Sequence, residues 1–368
     1  MRALSSRIEK HVIDAAEVVD WMRAVIDYAE SLPKAALTTI SVAPAGHPIE
    51  AHFDDPELER AYRVRLCDLP AEPHPIETIY VLSGKSPGLR VVPEWDGGGC
   101  PAPVFQEMMA GAGLRSAYPS RTGLWRFVDP RARVGVQLSA SRANLPKWDG
   151  AAPLRYHLHW LLEERGFRIA HAATLGHEGR GIVIFGRAGA GKSGTTLAGL
   201  EMGLATVGDD LVCLDATEQR FARALFKVFK QDRAGLTRTP SLFDRTSHLA
   251  TNWHGKVEFD PDEYFPNSFV GELAIGAAVV PNIVHADEPT IVPVTTAEIM
   301  RALISSNVRQ YPGERETGMA FFASFLRNLP CYRINLSKDA AKNGEALVRL
   351  IRQLPRRPGS SSAEATRR

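Results

Sequence analysis

One stretch constrains this chain more than any other. Gly181 to Leu214 reads GIVIFGRAGAGKSGTTLAGLEMGLATVGDDLVCL. Its order is strand, glycine-rich loop, helix, strand. Ile182-Val183-Ile184-Phe185 is a short apolar, mostly β-branched run that suits a buried strand. Gly186, Gly191, Lys192 and Ser193 then fit G-x-x-x-x-G-K-[ST], a phosphate-binding pattern. Glycines let backbone N–H groups curl around an anion without Cβ clashes. A helix starting near Lys192 turns its positive end toward that anion. The loop Gly186, Arg187, Ala188, Gly189, Ala190, Gly191, Lys192, Ser193 and Gly194 is therefore the expected nucleotide cradle. Lys192 would reach the β- and γ-phosphates, and the Ser193 hydroxyl would ligate Mg²⁺. A second Gly-Lys-Ser, at Gly84-Lys85-Ser86, lacks the upstream glycine and runs into Pro87. It reads as a turn.

Gly208-Asp209-Asp210 follows closely, with Asp209 only 17 residues after Lys192. In isolation Gly-Asp-Asp is turn-like. Beside a phosphate loop the pair acquires a chemical use. One carboxylate can hold Mg²⁺ and the other can accept the proton of an attacking hydroxyl. Two adjacent carboxylates also push one pKa upward, which suits a base. We favour Asp209 as the metal ligand and Asp210 as the base. The sequence leaves the reverse assignment open.

These residues carry a resemblance. The block resembles the catalytic core of HPr kinase/phosphorylase and the wider group of HPr-kinase-like serine kinases. That group has a histidine 15 residues before the first loop glycine, where His171 stands relative to Gly186. Ile169-Ala170-His171-Ala172-Ala173 is similar to its "HAA" strand. Read alone, His171 is a histidine on a core strand. The resemblance implies that it orients or polarises the aspartate pair. Trp148, Pro153, Leu154 and Arg155 are similar to a further stretch that leads into that strand. Downstream, Lys230 matches a family lysine, with Lys227 as its neighbour and competitor, and Lys256 matches another. Either Lys230 or Lys256 would contact substrate phosphate or transition-state charge. No counterpart of the family's acceptor-binding loop, or of its further acidic residue, can be placed. The implied fold is α/β, a P-loop core like that of HPr kinase and phosphoenolpyruvate carboxykinase, with a smaller α+β N-terminal domain.

At 368 residues the chain is long enough for two domains. We expect an α+β N-terminal domain over 1–150, the catalytic domain over 151–354, and a disordered tail from 355 to 368. A net charge of +2 gives no sign of a nucleic-acid or membrane-surface protein. Cys67, Cys100, Cys213 and Cys331 are widely spaced and form no C-x-x-C pair. They read as thiols of a reducing compartment, and the expected location is cytoplasmic. No leader and no apolar run of about 18 residues is evident.

Along the chain, residues 11–31 show helical spacing of apolar residues. Thr38–Val42, Tyr62–Leu66 and Thr78–Leu82 read as strands. Asp96-Gly97-Gly98-Gly99 is a loop without a following lysine. Leu124–Phe127 and Val134–Leu138 read as a hairpin around Asp129-Pro130. A helix is expected from Pro153 to about Glu164. It carries His157 and His159 at i and i+2, too divergent to share a metal. Strands are expected at Leu211–Asp215, Leu273–Ile283, Ile291–Val294 and Cys331–Leu336. Helices are expected from Thr296, over Gly318–Arg327 and over 339–354. From Arg356 the composition is low-complexity and polar.

The expected activity is a Mg²⁺–ATP phosphotransferase acting on a hydroxyl, most simply a serine, of a protein, peptide or small molecule. A homo-oligomer stays open. The competing expectation is a nucleotide-binding adaptor or sensor that binds ATP without transferring phosphate. The intact lysine, serine and aspartate pair speak against it.

Overall fold

The computed structural model describes residues 12–83, 92–97, 99–119, 123–308, 310, 311 and 314–355. The chain divides into two compact units: Met1–Arg165 with Tyr311–Gly313, and Gly166–Gln310 with Glu314–Arg368. Gly84-Lys85-Ser86, Gly98 and the tail from Arg356 lie outside the described residues.

In the first unit the elements run β1 (Val12–Ile13), α1 (Val18–Ser31), β2 (Thr38–Val42), β3 (Ile49–Phe53), α2 (Pro56–Arg63), β4 (Glu77–Leu82), β5 (Glu94–Trp95), α3 (Ala102–Gly111), β6 (Arg115–Ser116), β7 (Leu124–Asp129), β8 (Val134–Ser139) and α4 (Arg155–Glu163). A six-stranded sheet has the order β2-β3-β4-β8-β7-β6. The apolar face of α1 buries Trp21, Met22 and Val25 with Trp125, Phe127 and Val136 of the sheet.

Two expectations are corrected here. The helix expected over 11–31 starts only at Val18. The Asp14 carboxylate accepts the Ala16 and Glu17 N–H groups, which makes a turn, and Val12–Ile13 pairs with Glu94–Trp95 instead. Tyr62–Leu66, read as a strand from its alternation, is the end of α2 and the turn after it. The Asp55 side chain accepts the Glu57 N–H, and Pro56 takes the first helical position, so the segment starts as a helix and carries through Tyr62. His157 and His159 are fully buried. Burial lowers the His157 imidazole to about 4, with its Nε2 at 3.0 Å from the Val136 carbonyl oxygen. The Arg155 guanidinium lies 3.5 Å over the Trp148 ring.

In the second unit the elements run β9 (Phe167–His171), β10 (Ala173–His177), β11 (Arg180–Ile184), α5 (Lys192–Glu201), β12 (Leu211–Asp215), β13 (Phe221–Arg223), β14 (Phe229–Asp232), α6 (Arg233–Leu236), α7 (Pro240–Thr246), β15 (Lys256–Phe259), α8 (Pro261–Tyr264), β16 (Glu272–Ala286), β17 (Thr290–Pro293), α9 (Thr296–Asn307), α10 (Glu314–Leu326), β18 (Cys331–Ser337) and α11 (Ala340–Gln353). The main sheet has the order β10-β11-β16-β13-β12-β9, and β18 joins it beside β16 with β17 outside. β16 runs parallel to both β11 and β18. β14 and β15 form a separate antiparallel ribbon. Helices α5 and α11 cover the sheet, with Leu197, Leu200, Leu347 and Ile351 in one core with Ile182 and Val279.

The architecture is mixed α/β, and no helix among the described residues is long and apolar enough to cross a membrane. The register places the ends that matter. Ala173 pairs with Ile184, and His171 pairs with Leu211. The junction of β9 and β10 therefore lies between the strand end that releases the glycine loop and the strand that follows Asp209-Asp210.

Candidate active site

The glycine loop leaves β11 at Phe185 and ends on α5. Gly191 has φ +100°, a conformation that glycine adopts without strain, and a Cβ there would lie 3.1 Å from Leu336 Cδ1. Arg187, Ala188 and Gly189 are exposed, Ala190 and Gly194 partly so. Lys192 folds back over the loop, and its Nζ donates to the Gly186 carbonyl at 2.7 Å. It is 6% exposed. Burial lowers its ammonium to about 8 against the pull of Asp210 and Asp209, and the Lys256 charge adds to the lowering. At pH 7 it still carries most of its charge.

The aspartate pair is held by a polar network beneath it. Thr174 Oγ1 accepts the Val207 N–H at 3.0 Å, and Thr206 Oγ1 accepts the Gly208 N–H at 3.0 Å. Thr174 N–H donates to the Gly208 carbonyl, and Ala172 N–H to the Asp210 carbonyl. Gly208 has φ +158°, and a Cβ there would meet Val212 Cγ1 at 3.1 Å. The turn before the carboxylates is thus pinned by Thr174 of β10, by Ala172 beside it and by Thr206 within the turn.

The two carboxylates differ. Asp209 is 3% exposed, and its Oδ1 has no hydrogen-bond partner. Burial, then the Asp210 charge, pushes it up to about 7, against Lys230 and a bond from the Lys230 backbone N–H. Asp210 has partners on both oxygens. His171 Nε2 lies 3.2 Å from Oδ1, and Lys230 Nζ donates to Oδ2 at 2.8 Å. Burial opposes its charge, but Lys230 and His171 outweigh burial and hold its carboxyl well below the usual range. The same contact raises Lys230, although burial alone would lower it.

Lys256, on the neighbouring strand, acts on the group through its charge, which bears on Lys192 and Asp209. Asp232 stands opposite Lys256 in the ribbon, and Lys230 and Asp232 share a face by alternation. Both lysines therefore project from one face of the ribbon. Lys227 is exposed and pairs with Asp262 at 3.5 Å. Of the two competing lysines, it is Lys230 that touches the aspartates.

Lys192, Asp209, Asp210, His171, Lys230 and Lys256 thus meet at one end of the sheet, with Ser193 on the first turn of α5. An orphaned carboxylate oxygen buried beside a second carboxylate suits a hard, oxygen-seeking divalent cation such as Mg²⁺, with the Ser193 hydroxyl as a further oxygen donor. Sequence reasoning did not single out Asn307, which holds the His171 backbone, or Thr174 and Thr206. Asn307 is 136 positions from His171, and no local pattern marks it.

Fold and site together define a mixed α/β protein with a glycine loop, a buried lysine and a lysine-bridged carboxylate pair. No protein-family model matches the chain, and neither does any curated protein. Among solved structures it is similar to the Hpr(Ser) kinase/phosphatase from Coxiella burnetii. The identity is 16%, the TM-score 0.29, and the alignment covers 50% of this chain and 96% of that one.

Proposed function

We propose that the second unit is a Mg²⁺–ATP phosphotransferase that phosphorylates a hydroxyl, most simply a serine, of a protein, peptide or small molecule. The observation that carries this reading is the convergence of Lys192, the Asp209–Asp210 pair, His171 and Lys230 at the helix end of the glycine loop. The first unit would contribute recognition of the acceptor.

In this reading Lys192 and the amides of the loop neutralise the polyphosphate. Asp209 and Ser193 would hold Mg²⁺, which when bound offsets charge on the phosphate oxygens. Asp210 accepts the hydroxyl proton. Lys230 and His171 keep Asp210 ionised across the neutral range, so it is always ready to accept. The same partners make it a weak base. That is tolerable for phosphoryl transfer, whose loose transition state needs positioning more than basicity. Once the proton reaches Asp210, Lys230 is freed from its ion pair, and its charge is available to the transferred group.

The test is transfer of label from γ-labelled ATP, with Mg²⁺, to components of a cell extract, beside a Lys192→Ala control. Label on an extract component only with intact Lys192 supports the reading and marks the acceptor. ATP binding with no label leaving ATP would overturn it in favour of an adaptor. Label released only as free phosphate would point to hydrolysis instead.

A further inference from the structure

In the first unit the turn around Gly46 and the loop over 68–75 are stitched together. Leu69 N–H donates to the Ala43 carbonyl at 3.2 Å, Glu72 N–H to the Gly46 carbonyl at 2.8 Å, and Ala43 N–H to Asp68 Oδ1 at 3.0 Å. The loop reads Glu72-Pro73-His74-Pro75, and the two prolines fix their own φ and restrict the residues before them. Gly46 stands at φ +83°, and a Cβ on it would lie 3.3 Å from Glu72 Cγ, so glycine is what lets the two segments approach this closely. The approach gathers three donors. One ring nitrogen of His47, one of His74 and a carboxylate oxygen of Glu72 all lie within 4.8 Å of one another. Among the described residues no other three histidine, cysteine or carboxylate side chains gather this closely. His74 Nε2 is 3.1 Å from Glu72 Oε2, and the two imidazoles stack at 5.0 Å with 15° between their planes. His47 is buried, while the Glu72 and His74 side chains are each 33% exposed, so the group has a closed side and a side open to water.

We propose that His47, Glu72 and His74 bind a divalent cation of the zinc class, with water completing its coordination, and that the ion clamps the two segments together. The proposal stands apart from the phosphotransfer reading of the second unit. Two imidazoles and one carboxylate are a donor set for Zn²⁺ and the other imidazole-seeking first-row ions, whereas Mg²⁺ takes oxygen. A tetrahedral ion about 2 Å from each donor sets the donors about 3.3 Å apart. The His74–Glu72 pair already stands near that spacing. Arg165 opposes the ion. Its Nη1 lies 2.8 Å from His47 Nδ1, and its Nη2 donates to Glu77 Oε1 at 2.7 Å. A guanidinium only donates, so His47 Nδ1 is the acceptor and the ring proton sits on Nε2. When the ion takes Nε2, that proton moves to Nδ1, and Arg165 gives up this contact while keeping Glu77. The affinity is moderated by that exchange.

The test titrates Zn²⁺ into the full chain, with excess Mg²⁺ present, by competition with a chromophoric chelator. It compares wild type, His74→Ala, Glu72→Gln and Arg165→Lys, and reads melting with and without Zn²⁺. Wild type should bind one equivalent and melt higher with the ion. His74→Ala and Glu72→Gln, at partly exposed positions, should fold, lose about tenfold or more in Zn²⁺ affinity, and lose the rise in melting temperature. Arg165→Lys can keep its pair with Glu77 and release His47 Nδ1, so it should bind Zn²⁺ severalfold tighter. A wild type that takes up no Zn²⁺ would overturn the site. So would His74→Ala and Glu72→Gln proteins that bind it like wild type. Unchanged affinity in Arg165→Lys would also overturn it, because His47 would then not be a ligand.

Discussion

Asn307 grips His171 by both of its peptide groups. Its Oδ1 accepts the His171 N–H at 2.7 Å, and its Nδ2 lies 3.4 Å from the His171 carbonyl oxygen. The His171 ring in turn stands 3.2 Å from Asp210. A residue at the end of α9 thereby fixes the position of a group it does not itself share with the aspartates. Asn307→Ala leaves a half-buried N–H without its partner, at a cost of about 1 kcal/mol. Asn307 is a positioning residue, so kcat for phosphate transfer should fall about tenfold while KM for ATP stays unchanged. A matching rise in KM would mean that the substitution damages the nucleotide cradle, and this account of Asn307 would be wrong.

The local signals were legible in the sequence and the long-range ones were not. Glycine spacing, Lys192 and the adjacent aspartates lie within one strand–loop–helix–strand unit, where each element announces itself by period and loop chemistry. Lys230 was one of two neighbouring lysines, and only the fold separates it, on β14, from exposed Lys227 before that strand. Asn307 and Thr174 act through hydrogen bonds across the fold, which no spacing encodes, and Thr206 through a bond to Gly208 that no pattern marks. The misread segment at Tyr62 shows the converse. Alternating Tyr-Arg-Val-Arg-Leu fits a strand, yet a cap at Asp55 and a proline at the first helical position decide the outcome from upstream.

Asp209 makes apo stability depend on pH. Its folded pKa is raised to about 7 from 3.8 by burial and then by Asp210. A raised carboxylate contributes stability that is full below the unfolded value of about 4 and is lost as pH climbs to about 7. Above that, the folded protein holds a buried charge with one oxygen unmatched. Asp209→Asn removes that charge. At pH 8 without Mg²⁺ the variant should melt higher than wild type by a few degrees, equivalent to about 1–3 kcal/mol. As the pH is lowered toward 4 the difference should close. Mg²⁺ with ATP should raise the wild-type melting temperature and leave the variant where it was. Equal melting at pH 8 would show that Asp209 is solvated well enough to ionise freely.

Lys230 and Asp210 should be coupled in activity as well as in charge. Lys230→Met removes the ammonium 2.8 Å from Asp210 Oδ2, so the Asp210 carboxyl moves up toward its ordinary range. The acid limb of the kcat profile should then shift to higher pH. Loss of a donor to the transferred group should also cost about 10²–10³ in kcat. Against an Asp210→Asn background, the second loss should be much smaller than the first. Additive losses in the double variant would mean that the ion pair is only structural.

The two glycines at the start of α5 should respond in opposite ways. Gly191→Ala places a side chain at φ +100° and sets a Cβ 3.1 Å from Leu336 Cδ1. Strain of that kind costs about 1–3 kcal/mol, so the variant should lose stability, read by urea unfolding. Gly194 lies inside the helix, and a Cβ there would meet only Gln231 Nε2 at 3.7 Å, ordinary contact distance. Gly194→Ala should therefore gain about 0.5–1 kcal/mol from helix propensity. Its methyl group would nonetheless stand in the expected nucleotide cradle, on the first turn after the loop, so ATP affinity should fall while stability rises. A Gly194→Ala protein that is both more stable and equally tight for ATP would mean that the nucleotide passes elsewhere. One that is less stable would mean that this turn of α5 has no room for a methyl group.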